Sequence, residues 1–191
     1  MNDQENKVRV EYSSKFIEGM ATDFVDRNNK EQTWFWFRRK GNQKSVAIAA
    51  IIKGDEDKLV ITKEYRHPIG GYEYGLPAGL IDQGNSIEDT IKKEMKEETG
   101  LTVTKIHLIT PPLFSSTGAT DEATAIAFVE VKGKPSQKFL EASEDIETLL
   151  LNREEANQLY IKCMTGEINM GFKGWYTLMI FTGNIPTFFN K

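Results

Sequence analysis

The sequence predicts an α+β fold, with helices packed on a mixed β-sheet and a small antiparallel β segment at the N-terminus. Three observations carry that expectation. Short apolar runs of strand length, separated by turn clusters, fill much of residues 7–65 and return at 101–108, 123–131 and 148–151. Between them, Ile87–Thr99 has the spacing of a helix with recognisable ends, and two further helices are expected near Arg153–Thr165 and Gly171–Phe181. Strands, helix, strands, helices is the order of an α+β sheet rather than of a doubly wound one.

Taken in order, Val8, Val10 and Tyr12 alternate, as do Met20, Thr22 and Phe24, and the turn cluster 26–32 (DRNNKEQ) leads into TWFWFRR. On a strand, Trp34, Trp36 and Arg38 share one face and Phe35, Phe37 and Arg39 the other, so this strand is covered on both sides or keeps one side for a ligand or a partner subunit. The first 40 residues are either a small β domain of their own or part of the main sheet; the division expected is 1–44 as an N-terminal β segment and 45–191 as the main domain. Val46–Ile52 is a buried strand, and GDEDK (54–58) turns it into Leu59–Tyr65, making a hairpin. His67–Gly84 is rich in glycine and proline and shows no regular period. Ser86 with Asp89 makes a near capping box for the central helix, and Gly100 stands where its chain must turn left-handed. Leu101–Leu108 and Ala123–Val131 are strands flanking the loop 110–122, and the acidic stretch 141–147 precedes a short strand, Thr148–Leu151.

Composition removes several classes of function. The 191 residues carry 24 Lys and Arg against 28 Asp and Glu, a formal charge of −4, so no global field draws the chain to nucleic acid or to an anionic membrane. The longest apolar run, Val46–Ile52, is too short to span a bilayer, and the first twenty residues contain no signal-peptide apolar stretch. Cys163 is the one cysteine, and His67 and His107 the only histidines, which excludes an intrachain disulfide and argues against a thiolate or multi-histidine metal site. A cytoplasmic protein is expected, with carboxylates as its metal ligands if it has any.

The chemistry points to the central helix. At about 100° per residue, Glu94 and Glu98 fall within about 40° of each other and beside Ile87 and Ile91, while Lys92 and Lys96 fall on the opposite side. An ordinary amphipathic helix puts its acids with its lysines. Glu94 also repels Glu97 and Glu98 at helical spacing, by about 0.2–0.5 kcal/mol per pair, and all three crowd the negative end of the helix dipole. An inward acidic face of this kind asks for a cation, and hard oxygen donors suit Mg²⁺ or Mn²⁺. A solvated acidic face relieved by its lysines is the plain alternative. Upstream, Leu76-Pro77-Ala78-Gly79 is a turn whose backbone carbonyls suit a hard cation.

Together these segments resemble a known family. Gly79–Leu101 is similar to the Nudix box: glycine, five residues, glutamate, seven residues, then arginine-glutamate-aliphatic-any-glutamate-glutamate-any-glycine-aliphatic. Gly79 opens it and Glu94-Met95-Lys96-Glu97-Glu98-Thr99-Gly100-Leu101 closes it. Glu64-Tyr65-Arg66, Gly70-Gly71-Tyr72 and Leu76–Asp82 resemble the branch of ADP-ribose and nucleoside-diphosphate-sugar pyrophosphatases. Two positions depart from the box: Asn85 stands for its first glutamate and Lys93 for its arginine, which suggests a polar Asn85–Lys93 contact in place of the usual ion pair.

The resemblance implies an α/β/α sandwich that hydrolyses ADP-ribose or a related nucleoside diphosphate sugar to a nucleoside monophosphate and a sugar phosphate. It implies Glu94 and Glu98 as ligands of Mg²⁺ (or Mn²⁺), helped by the Ala78 carbonyl, with Glu97 as a further catalytic ligand or a group supporting one. Glu144 would be the general base, with Glu141 in reserve. Trp34 would stack on the base, Arg66 would meet phosphate, and Glu122 would bind the distal ribose or position water. A homodimer formed through residues 1–44 is implied as well. The competing reading, prompted by Asn85 and Lys93, is a nucleotide-sugar binding module with little turnover.

Overall fold

The computed structural model describes residues 7–41 and 44–186. The chain divides into two compact units, Met1–Ser45 with Pro112–Thr124, and Val46–Pro111 with Ala125–Lys191. The first unit thus takes in a loop, 112–124, that the sequence leaves with the main domain.

In the first unit, β1 (Lys7–Ser13), β2 (Ile17–Val25) and β3 (Glu31–Arg39) form an antiparallel sheet in that order. The turn between β2 and β3 is built by Asp26, whose Oδ1 accepts the N–H groups of Asn28 (2.8 Å) and Lys30 (3.0 Å), while Asn29 takes the left-handed conformation at φ 59°. The 112–124 segment runs along β3: the Phe37 N–H donates to the Ala119 carbonyl at 2.9 Å. A two-residue strand, β9 (Leu113–Phe114), pairs there with Ala123 and Thr124. Val8, Val10, Phe35 and Phe37 remain exposed on this sheet.

The second unit is a three-layer sandwich. Its strands are β4 (Ser45–Ile52), β5 (Lys58–Arg66), β6 (Gly71–Gly75), β7 (Ala78–Leu80), β8 (Thr102–Ile109), β10 (Ala123–Lys132), β11 (Ile146–Leu151) and β12 (Asn169–Met170). The sheet runs β12-β6-β5-β4-β10-β8, with β11 added on β5 and β7 on β4. It is mixed, since β12 pairs with β6 in parallel while β5 pairs antiparallel with β4, β6 and β11. Thr62 pairs with both Thr148 and Gly75, and Leu59 with both Leu151 and Ile51, so β4 and β6 share one edge of β5 and fork apart from it.

Alternation along β4 explains the layers. Val46, Ile48 and Ala50 face one core with Ile91 and Met95 of α1 (Ile87–Thr99), whereas Ala47 and Ala49 face a second core with Ala156 and Leu159 of α2 (Arg153–Met164) and Leu178 of α3 (Phe172–Thr182). Ser86 caps α1 by accepting the Asp89 N–H at 3.0 Å, and its hydroxyl donates to the Asp89 carboxylate at 2.7 Å. Gly100 ends the helix at φ 75°. Asn152 and Glu155 form a full capping box on α2. None of the described helices is long and apolar enough to cross a membrane.

The expectation of an irregular 67–84 needs correction. A short 3₁₀ turn (His67–Ile69) and left-handed Gly70 fold β6 back onto β5, and β7 follows two residues later. AGL is too short to show an alternation, and in GYEYG the alternating Tyr72 and Tyr74 are separated and flanked by glycine and Glu73; pairing with the edge of an existing strand makes both of them strands.

Candidate active site

The fork between β4 and β6 opens a space that β7 enters, and α1 packs across β7. Glu98 is buried at 7% exposure on the same face of α1 as Ile91 and Met95. Its Oε2 accepts the Ala78 N–H at 3.1 Å, a bond that joins helix to strand. Glu94, one turn earlier, lies against Gly79. A Cβ at position 79 would collide with the Glu94 carboxyl group, so the missing side chain of Gly79 is what lets that carboxyl lie against the strand.

Four carboxylates share this region. Burial pushes the Glu98 carboxyl up to about 8; the Ala78 hydrogen bond opposes this, and the charges of Glu94, Glu64 and Glu144 add to it. Burial likewise pushes Glu94 up to about 7, opposed by Lys93 and reinforced by Glu97, Glu144 and Asp82. Glu64 is raised by burial against the opposing charge of Arg66, with Glu144 and Glu73 adding to the rise. Glu144 thus acts on Glu64, Glu94 and Glu98 alike. It lies in the turn before β11, where its backbone N–H donates to the Glu141 carbonyl (3.0 Å) and its Oε2 accepts the Glu141 N–H (2.9 Å). Among the described residues no three His, Cys, Asp or Glu side chains already stand in metal-ligand geometry; what these four share is one another's field.

Glu64 was not singled out as a site residue by sequence reasoning. The signal was its place on the face of β5 that carries buried Val60 and Thr62, where a third apolar or small residue is the ordinary continuation.

Lys93 does not meet Asn85 as expected. Its Nζ lies 3.5 Å from Glu97 Oε2, 3.9 Å from Glu94 Oε1 and 4.0 Å from Asp82 Oδ2, and Glu94 is the main influence raising its pKa. Asn85 instead gives its backbone N–H to the Asp82 carbonyl at 3.0 Å. The reason is geometric: Asp82 and Asn85 close a tight turn, and the turn's carboxylate, rather than its amide, meets the helix.

Arg66 belongs to the same region, pairing with Glu64 at 2.7 Å and with Glu73 at 3.2 Å. A cavity of about 180 Å³ is lined by these three with Thr62, Ala78 and Lys173. Trp34 and Glu122 lie in the first unit. The Trp34 indole N–H donates to the Gly118 carbonyl at 3.2 Å, and its half-exposed ring lines a cavity of about 430 Å³ with Trp36, Thr22, Phe24, Phe114 and Asp121. Glu122 is held by Arg39 at 2.9 Å.

Comparison with known proteins follows the same outline. The NUDIX domain family matches residues 43–164. The chain is 31% identical over 149 residues to the ADP-ribose pyrophosphatase of Bacillus subtilis, covering 78% of this chain and 77% of that one. It is 34% identical over 115 residues to the ADP-ribose pyrophosphatase of Saccharomyces cerevisiae, covering 56% of this chain and 49% of the relative. Among solved structures, an ADP compounds hydrolase has the same fold, with a TM-score of 0.64 at 19% identity over 80% of each chain.

Two outcomes follow from the geometry. Glu94 and Glu98 bind more protons when folded than their ordinary value of 4.5 allows in the unfolded chain, so stability in chelator falls as pH rises from about 4.5 to about 8. Melting temperatures across that range are expected to decline, and Glu98→Gln to flatten the decline. Gly79→Ala is expected to displace the Glu94 carboxyl toward solvent and bring its pKa back down toward the ordinary 4.5 in an NMR titration, with helical circular dichroism unchanged.

Proposed function

Because the chain belongs to the NUDIX domain family and is a Nudix pyrophosphohydrolase, we propose that it hydrolyses the pyrophosphate bond of ADP-ribose or a related nucleoside diphosphate sugar, using Mg²⁺ or alternatively Mn²⁺. The observation that carries this reading is the group Glu64, Glu94, Glu98 and Glu144, whose burial and mutual repulsion raise the first three. That donor set is all oxygen, which fits a hard divalent cation.

Glu94, Glu98 and the Ala78 carbonyl would hold the cation, with Glu97 in support. Bound there, it would neutralise charge on the diphosphate and lower the cost of attack by water. Glu144 takes the proton of that water as the new oxygen–phosphorus bond forms and the bridging phosphorus–oxygen bond breaks, giving a nucleoside monophosphate and a sugar phosphate. Arg66 keeps guanidinium N–H donors beyond those directed at Glu64 and Glu73, and offers them to phosphate. Trp34 and Glu122, the side chains that the resemblance would give to the base and the distal ribose, both lie in the first unit. The relatives named ADP-ribose pyrophosphatase support this choice of substrate class.

A binding module with little turnover is the second reading, favoured by Lys93. Its ammonium already partly neutralises Glu94 and Glu97. One experiment separates the two readings. Release of phosphate monoester is followed from ADP-ribose, UDP-glucose, GDP-mannose, NADH and diadenosine polyphosphates, with Mg²⁺, Mn²⁺ or chelator. Metal-dependent cleavage of ADP-ribose is expected, with Glu98→Gln at least about a hundredfold slower. Silence across the panel, with one ligand still raising the melting temperature and turnover restored by Asn85→Glu with Lys93→Arg, would establish the binding module instead.

The homodimer is part of the proposal, resting on the exposed apolar side chains of the N-terminal sheet. Light scattering on the full chain is expected to give twice the chain mass, and Phe35→Asp to move it toward one. A monomeric wild-type protein would sink that assembly.

A further inference from the structure

The route by which Glu144 reaches the carboxylate group identifies another residue. β11 joins β5 by pairing Ile146 with Glu64, so Asp145, the residue just before it, arrives beside Tyr65. Beyond that register the ladder gives out. The Tyr65 N–H reaches the Asp145 carbonyl at 3.2 Å, the long end of the hydrogen-bond range. Asp145 makes its short contact elsewhere: its Oδ2 accepts the Tyr72 hydroxyl at 2.6 Å, the length of a charge-assisted O–H···O⁻ bond.

Tyr72 is itself held in place. It pairs with Tyr65 across the β5–β6 hairpin, and the two rings meet edge to face with centroids 5.5 Å apart. Lys63 Nζ sits 4.8 Å from the Tyr72 ring centroid while also pairing with Glu147 at 3.2 Å. The Asp145 carboxylate raises the Tyr72 pKa, so the phenol remains a donor at neutral pH. Glu144 is bound into the same turn through its two hydrogen bonds with Glu141. Gln137 secures the far side, donating from Nε2 to the Ile146 carbonyl at 2.9 Å.

The geometry points to Tyr72 as a positioning residue, whose hydrogen bond to Asp145 latches the 141–145 turn onto the β5–β6 hairpin and keeps Glu144 facing Glu64, Glu94 and Glu98. Tyr72 transfers no proton and touches no reacting atom; it acts through Asp145 on Glu144. The inference rests on Glu144 being the general base.

The test compares wild type, Tyr72→Phe, Asp145→Ala, Asp145→Asn and Glu144→Gln, with ADP-ribose and Mg²⁺ for kinetics and the free protein for amide hydrogen exchange. Tyr72→Phe and Asp145→Ala are each expected to lower kcat by about ten- to a hundredfold, with KM and melting temperature nearly unchanged. Asp145→Asn, which keeps an oxygen to accept from the phenol, is expected to retain most of the rate. Exchange at residues 144–146 is expected to quicken in Tyr72→Phe. Unchanged exchange, or an unchanged kcat in Tyr72→Phe, overturns the latch. A Glu144→Gln enzyme as fast as wild type overturns the base assignment and the catalytic role of the latch together. Exchange, read without substrate, separates that failure from a failure of the contact itself.

Discussion

The hydrogen bond from the Ala78 N–H to the buried Glu98 carboxylate, with Glu94 lying against the bare Cα of Gly79, is the constraint on which the candidate site depends. It draws β7 and α1 close enough for helix side chains to reach backbone. It also commits an ionisable carboxyl group to an apolar face beside Ile91 and Met95. A single N–H donor satisfies only part of what a buried carboxylate needs. The remainder is seen in the rise of Glu98, and it is compounded because Glu94, Glu64 and Glu144 are directed at the same place. Stability alone would favour an apolar side chain at position 98.

Around that centre, the elements are placed by ordinary packing. β4 is buried on both faces, so its alternate residues fix α1 on one side and α2 and α3 on the other. The fork at β5 leaves room for β7, and the return of β11 along the other edge of β5 delivers the acidic turn. Lys93 occupies a middle position. It meets Glu97 and Glu94, and it also reaches Asp82 in the turn before the helix, so one flexible ammonium stands where three carboxylates compete for it. At half exposure such contacts are individually weak, and their effect lies in where charge sits rather than in stability.

Much of this was legible in the sequence because it is local. The caps at Ser86 and Gly100, the period of Ile87–Thr99, the strands Val46–Ile52 and Leu59–Tyr65 and the two closing helices all follow from residues within a few positions of one another. The departure of Glu94 and Glu98 from ordinary amphipathic patterning was visible on the same grounds, and so was the spacing from Gly79. β6 and β7 were not legible, since a neighbouring strand edge makes them. The partner of Lys93 was misjudged for a related reason: the resemblance indicated Asn85, but the turn's fold put the Asp82 carboxylate in reach.

By itself, then, the sequence determined that this chain forms an α+β structure around one acidic helix, with its acids on the inward face and a glycine upstream of them. Those properties depend on periodicity and on short-range sterics, which a linear string records. Only the tertiary structure decided that Glu64 of β5 and Glu144 of the turn before β11 join Glu94 and Glu98. It alone also decided that Tyr72 meets Asp145, 73 positions away. Strand pairing between distant segments brings those residues together. The register that does so is set by side chains buried along β4, β5 and β11, and not by the charged residues it happens to assemble.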